Sequence, residues 1–91
     1  MLISVLIPCY NEKNTIEEIV SRINNLTNLN IEIIIIDDCS NDGTREILKN
    51  KIKDKVSKII FNETNQGKGY SLKKGIDTAN GGIILIQDAD L

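Results

Sequence analysis

Two aspartates one residue apart, Asp88 and Asp90, follow the apolar run Ile83-Ile84-Leu85-Ile86 within the segment Gln87-Asp88-Ala89-Asp90-Leu91. A short apolar run of this kind reads as a buried strand, so both carboxylates fall at a strand exit. Two ionised carboxylates about 5 Å apart repel by roughly 3 kcal/mol at an effective dielectric of about 20, so a site that keeps both charged needs a cation or a raised pKa. A divalent ion carrying an anionic diphosphate meets that need. Aspartate is equally ordinary in a strand-to-loop turn, and the pair alone favours that plainer role.

Two further strand exits change the balance. Leu2 to Ile7 ends in Pro8-Cys9-Tyr10-Asn11-Glu12, and Ile31 to Ile36 ends in Asp37-Asp38-Cys39-Ser40-Asn41-Asp42-Gly43-Thr44. Open α/β sheets bind ligands outside the carboxyl ends of their parallel strands. Chance decoration would not select that one edge three times.

The elements that position these loops alternate regularly. Asn14 and Thr15 can cap a first helix whose apolar positions Ile16, Ile19, Val20, Ile23 and Leu26 share one face. A second helix, entered at Asp42-Gly43-Thr44, turns Ile47, Leu48 and Ile52 toward the sheet and leaves Lys49, Lys51, Lys53 and Lys55 solvated. Val56 to Phe61 reads as a shorter strand near a sheet edge, Asn62 to Gly69 as a loop, and Leu72, Ile76 and Ala79 as the inner face of a third helix. Gly81-Gly82 ends that helix, and Ile83 to Gln87 is the fourth strand. The whole reads βαβαβαβ, an α/β fold in which right-handed crossovers give a parallel sheet with helices on both faces. If strands one to three grow outward in one direction and strand four returns to the far side of strand one, the order is 3-2-1-4 and the switch point falls between strands one and four, with Pro8 to Glu12 opposite Asp88 to Asp90.

Composition limits the alternatives. A chain of 91 residues that is 41% hydrophobic supports one small core. Nothing after Asp90 returns a helix to the sheet, so residues 1–91 read as the front part of a longer protein. With 11 basic against 13 acidic residues and no basic stripe interleaved with aromatics, nucleic-acid binding is disfavoured. No stretch has the length of a membrane span and the start lacks the marks of a signal peptide, so a soluble, cytoplasmic segment is expected. Cys9 and Cys39 are 30 positions apart and histidine is absent, which argues against zinc and for reduced, packed thiols. Any general base within the chain would be a carboxylate, Lys, Cys or Tyr.

Asn65-Gln66-Gly67-Lys68-Gly69-Tyr70-Ser71 invites a phosphate-loop reading. The Walker pattern fails, because position 62 is Asn and Gly follows Lys68. A flexible loop with a cap at Ser71 explains the segment as well as an anion contact does. Asp37 and Asp38 suggest the acidic pocket of a phosphoacceptor receiver domain, yet the paired acids of that architecture follow its first strand, which here ends in Pro8 to Glu12.

Taken together, the loops resemble those of family-2 glycosyltransferases of the GT-A fold, and the resemblance covers nearly the entire chain. Pro8-Cys9-Tyr10-Asn11-Glu12 is similar to the family's Pro-x-Tyr-Asn-Glu opening, and Asp37 to Thr44 to its Asp-Asp-x-Ser-x-Asp-Gly-Thr element. Asn65 to Gly69 with Gly75, Gly81-Gly82 and Gln87 to Leu91 further resembles the branch that moves sugars onto polyprenyl phosphates.

The resemblance implies transfer of a sugar from a UDP- or GDP-sugar donor to a lipid-phosphate or saccharide acceptor. It implies that Pro8, Tyr10 and Glu12 line the nucleoside pocket, that Asp38 reads the base edge, and that Asp88 and Asp90 hold Mg²⁺ or Mn²⁺ on the donor diphosphate. Lys68 is a candidate phosphate contact, and Asp37 either joins the site or orients its turn through Ser40 and Thr44. The base that activates the acceptor is expected beyond Leu91. A nucleotide-binding module without turnover is the other reading, and the complete protein is expected at the cytoplasmic face of a membrane.

Overall fold

The structure is a computed structural model that describes residues 1–90; Leu91, the last residue of the acidic segment, lies outside the described residues. Its elements are β1 (Ile3–Cys9), α1 (Ile16–Asn24), β2 (Ile31–Asp37), α2 (Thr44–Ile47), β3 (Lys58–Phe61), α3 (Lys68–Thr78) and β4 (Ile83–Ile86). All strand pairs are parallel, as the alternation of elements predicts, and the order is the expected β3-β2-β1-β4.

β1 and β2 are buried on both faces, which is why they read as continuous apolar runs. Val5, Ile7, Ile33 and Ile35 point to one side, where Ile16, Ile19 and Val20 of α1 pack with Leu48 and Ile52. Leu6, Ile34 and Ile36 point to the other side, under α3, with Ile60 and Ala79. The register pairs Cys9 with Asp37 and Asp37 with Phe61, so three strands finish level with one another. β4 pairs Ile86 with Leu6, and the Gln87 N–H donates to Leu6 O at 2.9 Å, which brings the chain out beside the exit of β1.

Four expectations need correction. β3 begins at Lys58 rather than Val56, because the Ser57 hydroxyl accepts the Ile33 N–H at 3.1 Å and ends the ladder. α3 buries Ser71 and Gly75, while Ile76 of the expected face is 48% exposed. A Cβ on Gly75 would lie 2.9 Å from Ile36 Cδ1 and 3.1 Å from Leu6 Cδ1, so the glycine lets the helix sit close to the sheet. Leu26 lies beyond the end of α1 and is 48% exposed. β4, expected to be buried, is exposed along all four residues, because among the described residues none of its side chains joins either core cluster.

The second helix is also less regular than its apolar spacing implies. α2 passes into a wide turn over Leu48–Ile52 and a tight one over Lys53–Lys55. The expected anchors still hold: Leu48 and Ile52 are fully buried and Ile47 is half-buried.

A clasp at the opposite end of the sheet ties β1 and β2 to the α3–β4 connection. Glu32 accepts from the Ser4 hydroxyl, from Asn80 N at 2.6 Å and from Asn80 Nδ2 at 3.1 Å. Gly81 N donates to Ser4 Oγ at 2.8 Å. The Ser4 hydroxyl first, and Asn80 after it, hold the Glu32 carboxyl below the usual carboxylate range.

Candidate functional site

The loops after β1 and β2 are zipped together by side chains that accept backbone N–H groups. Ser40 Oγ accepts the Asn11 N–H at 2.9 Å and Thr44 Oγ1 accepts the Glu12 N–H at 3.0 Å. Asn11 and Asn41 exchange two bonds, at 3.1 and 2.8 Å. The turn at Asn11 is left-handed, with φ 54°, a conformation that asparagine tolerates better than most residues. Asp42 Oδ1 accepts Thr44 N at 3.0 Å, ahead of α2. Ser40, Asp42 and Thr44 therefore build the frame that carries Tyr10 and Glu12.

Adjacent aspartates at the end of β2 face opposite sides of the sheet and do different work. Asp37 is fully buried and accepts Ser40 Oγ at 2.6 Å and Ser40 N at 3.2 Å, with Arg45 NH1 at 3.8 Å. It organises the turn through Ser40, whereas Thr44 bonds Asp42 instead. Asp38 turns toward α3. Its Oδ1 accepts Gln66 N at 2.8 Å and Asn62 Nδ2 at 3.0 Å, and its Oδ2 accepts Gly67 N at 2.9 Å. Burial pushes the Asp38 carboxyl up, but the donors from Gln66, Asn62 and Gly67 outweigh it and the group stays ionised below its ordinary range.

Seven of the residues that the sequence points to border one cavity of about 310 Å³: Pro8, Tyr10 and Glu12 from β1 and its loop, Asp38, Lys68, and Asp88 with Asp90, while Asp37 is not in its lining. The β1–β4 switch point therefore opens where the strand order requires. Cys9, Ser71 and Ala89 complete the lining. Lys68 Nζ lies 2.8 Å from Asp88 Oδ1 across the mouth, both side chains being well exposed. The Asp88 carboxylate, with Asp90 adding to it, raises the Lys68 pKa, so the lysine stays an ammonium at all ordinary pH.

Three contributors were not visible in the sequence. Asn62, fully buried, bridges Asp38 to Ser71 Oγ, the latter at 3.0 Å. Ser71 does not cap α3, which has no side-chain cap; the Ser71 hydroxyl instead meets Asn62 at the cavity wall. Thr15 bonds the carbonyl of Ala89. Each lies outside the acidic loops, and only tertiary folding brings them to the site.

Both cysteines are free. Burial first, then the charge of Asp37, pushes the Cys9 thiol up to about 12, so it borders the cavity as a neutral group without nucleophilic character. Among the described residues no cluster of three or more His, Cys, Asp or Glu side chains could hold a metal by itself. No described helix is long and apolar enough to cross a membrane.

Residues 4–91 match the glycosyl transferase family 2. The chain is 38% identical over 92 residues to a dolichol-phosphate mannosyltransferase of Pyrococcus furiosus, covering all of this chain and 26% of that protein. Among solved structures it is similar to the mannosyltransferase PcManGT of Pyrobaculum calidifontis in complex with GDP-Man and Mn²⁺, with a TM-score of 0.86 and 27% identity over 97% of this chain and 27% of that one. It is also similar to residues 1–349 of S. aureus TarS in complex with UDP-GlcNAc, with a TM-score of 0.85 and 30% identity over 99% of this chain and 27% of that one. The chain thus spans about a quarter of the length of each of these relatives. On its matched residues and its sheet order, the chain belongs to glycosyl transferase family 2 and has the GT-A fold.

Proposed function

We propose that residues 1–91 form the donor side of a nucleotide-sugar-dependent glycosyltransferase, binding the nucleoside diphosphate of a UDP- or GDP-sugar. The observation that carries this reading is the meeting of Asp88 and Asp90 with Pro8, Tyr10, Glu12 and Asp38 around one cavity at the strand exits. In this reading Tyr10 and Pro8 flank the nucleoside. Asp38, ionised and with its Oδ2 engaged by Gly67 alone, accepts from a base N–H.

The donor set at the cavity mouth suits a hard divalent cation such as Mg²⁺ or Mn²⁺. Asp88 and Asp90 offer carboxylate oxygens only, and such ions take one or two carboxylates while substrate phosphates and water supply the rest. A bound cation would neutralise charge growing on the departing nucleoside diphosphate. Lys68, already beside Asp88, would turn to a diphosphate oxygen when its partner is engaged elsewhere.

The acceptor, a polyprenyl phosphate or a saccharide, and the carboxylate that deprotonates it belong in this reading to parts of the protein outside these residues. The free cysteines fit work in a reducing, cytoplasmic compartment. Calorimetry with UDP and GDP, each with Mn²⁺ or with chelator, tests the proposal. Binding that strengthens with Mn²⁺ supports it, and equal affinity in metal and chelator removes the role given to Asp88 and Asp90.

A further inference from the structure

Thr15 stands at the N-cap position of α1, where a threonine ordinarily bonds a free N–H of the first turn. It makes no such bond. Its hydroxyl is committed instead to a residue 74 positions away, Ala89 O at 2.6 Å, and it also lies 3.2 Å from Glu12 Oε2. Both neighbours are acceptors and the hydroxyl has a single hydrogen, so it serves one of them at a time and the shorter contact takes it.

Ala89 is the residue between Asp88 and Asp90. The residue is 4% exposed and packs into the core that contains Cys9 and Ile16. The acidic loop is thus pinned twice at its midpoint, by the methyl group in the core and by the carbonyl on Thr15, while Asp88 and Asp90 on either side remain exposed. With its hydrogen given to Ala89, Thr15 leaves the Glu12 carboxylate free to meet a ligand.

We propose that Thr15 is a positioning residue for the Asp88–Asp90 pair, fixing through the Ala89 carbonyl the backbone from which both carboxylates reach a divalent cation. This rests on the reading that those aspartates hold the cation. Thr15→Val keeps the shape of the side chain and removes its donor; Thr15→Ser keeps the donor. Mn²⁺ uptake measured by electron paramagnetic resonance with UDP or GDP present should weaken roughly tenfold in Thr15→Val, the usual scale for a residue that orients a metal ligand, and return in Thr15→Ser. Amide exchange at Ala89 and Asp90, followed without metal, should accelerate in the valine variant and recover in the serine variant. Wild-type Mn²⁺ affinity in Thr15→Val, or a serine variant that fails to recover it, overturns the proposal and leaves the donor-site reading standing. A wild-type chain that takes up no Mn²⁺ overturns both.

Discussion

Lys68 Nζ sits 2.8 Å from Asp88 Oδ1, so the ligand-free chain already places a cation against one of the two aspartates that follow β4. In the proposed donor site the lysine holds the place that a metal ion would take, and the two would compete for the same oxygen. Lys68→Gln should therefore tighten Mn²⁺ binding in the absence of nucleotide by about two- to threefold, as suits an exposed pair, while weakening binding of UDP or GDP. Titrating Mn²⁺ with and without nucleotide measures both effects. A variant that loses Mn²⁺ affinity when nucleotide is absent would contradict the competition.

Asp38→Asn should lower nucleotide affinity by about 1–3 kcal/mol and leave the metal response intact. The same change turns an amide NH₂ toward one of the N–H groups of Gln66 and Gly67 that Asp38 now accepts, so the thermal midpoint should fall as well. Calorimetry and thermal unfolding of the variant check the two parts separately. Loss of the metal response with nucleotide binding unchanged would mean that the roles of Asp38 and the Asp88–Asp90 pair are assigned wrongly.

Much of this was legible because parallel central strands and strand-exit loops leave strong local marks. Ile33 to Ile36 are apolar without alternation, which only a strand covered on both faces requires. Ile76 shows where such reading fails: its spacing fits the apolar face, but Gly75 brings α3 so close to Leu6 and Ile36 that the contact shifts by one residue. Ser57 and Thr15 fail for another reason. Local context puts Ser57 in a strand and Thr15 at a cap, and each is claimed by a distant backbone group that no local window contains. The Asp37–Asp38 pair was legible as acidic, yet its division of labour depends on which face of β2 each side chain takes.

Two glycines should respond oppositely to alanine. A Cβ on Gly81 would lie 2.6 Å from Ser4 Oγ and 2.7 Å from Leu2 O, so Gly81→Ala must displace backbone and should lower the thermal midpoint by about 5–10 °C. Gly69, in the first turn of α3, has nothing within 4 Å of the same position, and alanine there should hold or raise the midpoint. Thermal unfolding of the two variants side by side makes the comparison; equal losses would contradict the close contact at Gly81.

The clasp at Glu32 carries a pH signature. Its folded carboxyl titrates below the ordinary glutamate value of about 4.3, so the unfolded chain takes up the proton first on acidification. The stability it contributes is complete above that value and is lost as pH falls through the lowered folded one. Glu32→Gln should accordingly cost about 1 kcal/mol near neutrality and progressively less in acid. Denaturant unfolding of both proteins across that range reads the difference, and a gap that does not narrow with acid would rule out the ionised clasp.

In the proposed donor site a cation and a nucleoside diphosphate meet at the mouth of the cavity between β1 and β4. Paramagnetic broadening by Mn²⁺ in an amide-resolved NMR spectrum, recorded with UDP or GDP present, locates that meeting directly. Broadening should centre on Asp88 to Asp90, extend to Cys9, Tyr10 and Lys68, and disappear in Asp88→Asn and Asp90→Asn. Broadening centred on other surface carboxylates such as Asp54 or Asp77, and unchanged in those variants, would contradict it.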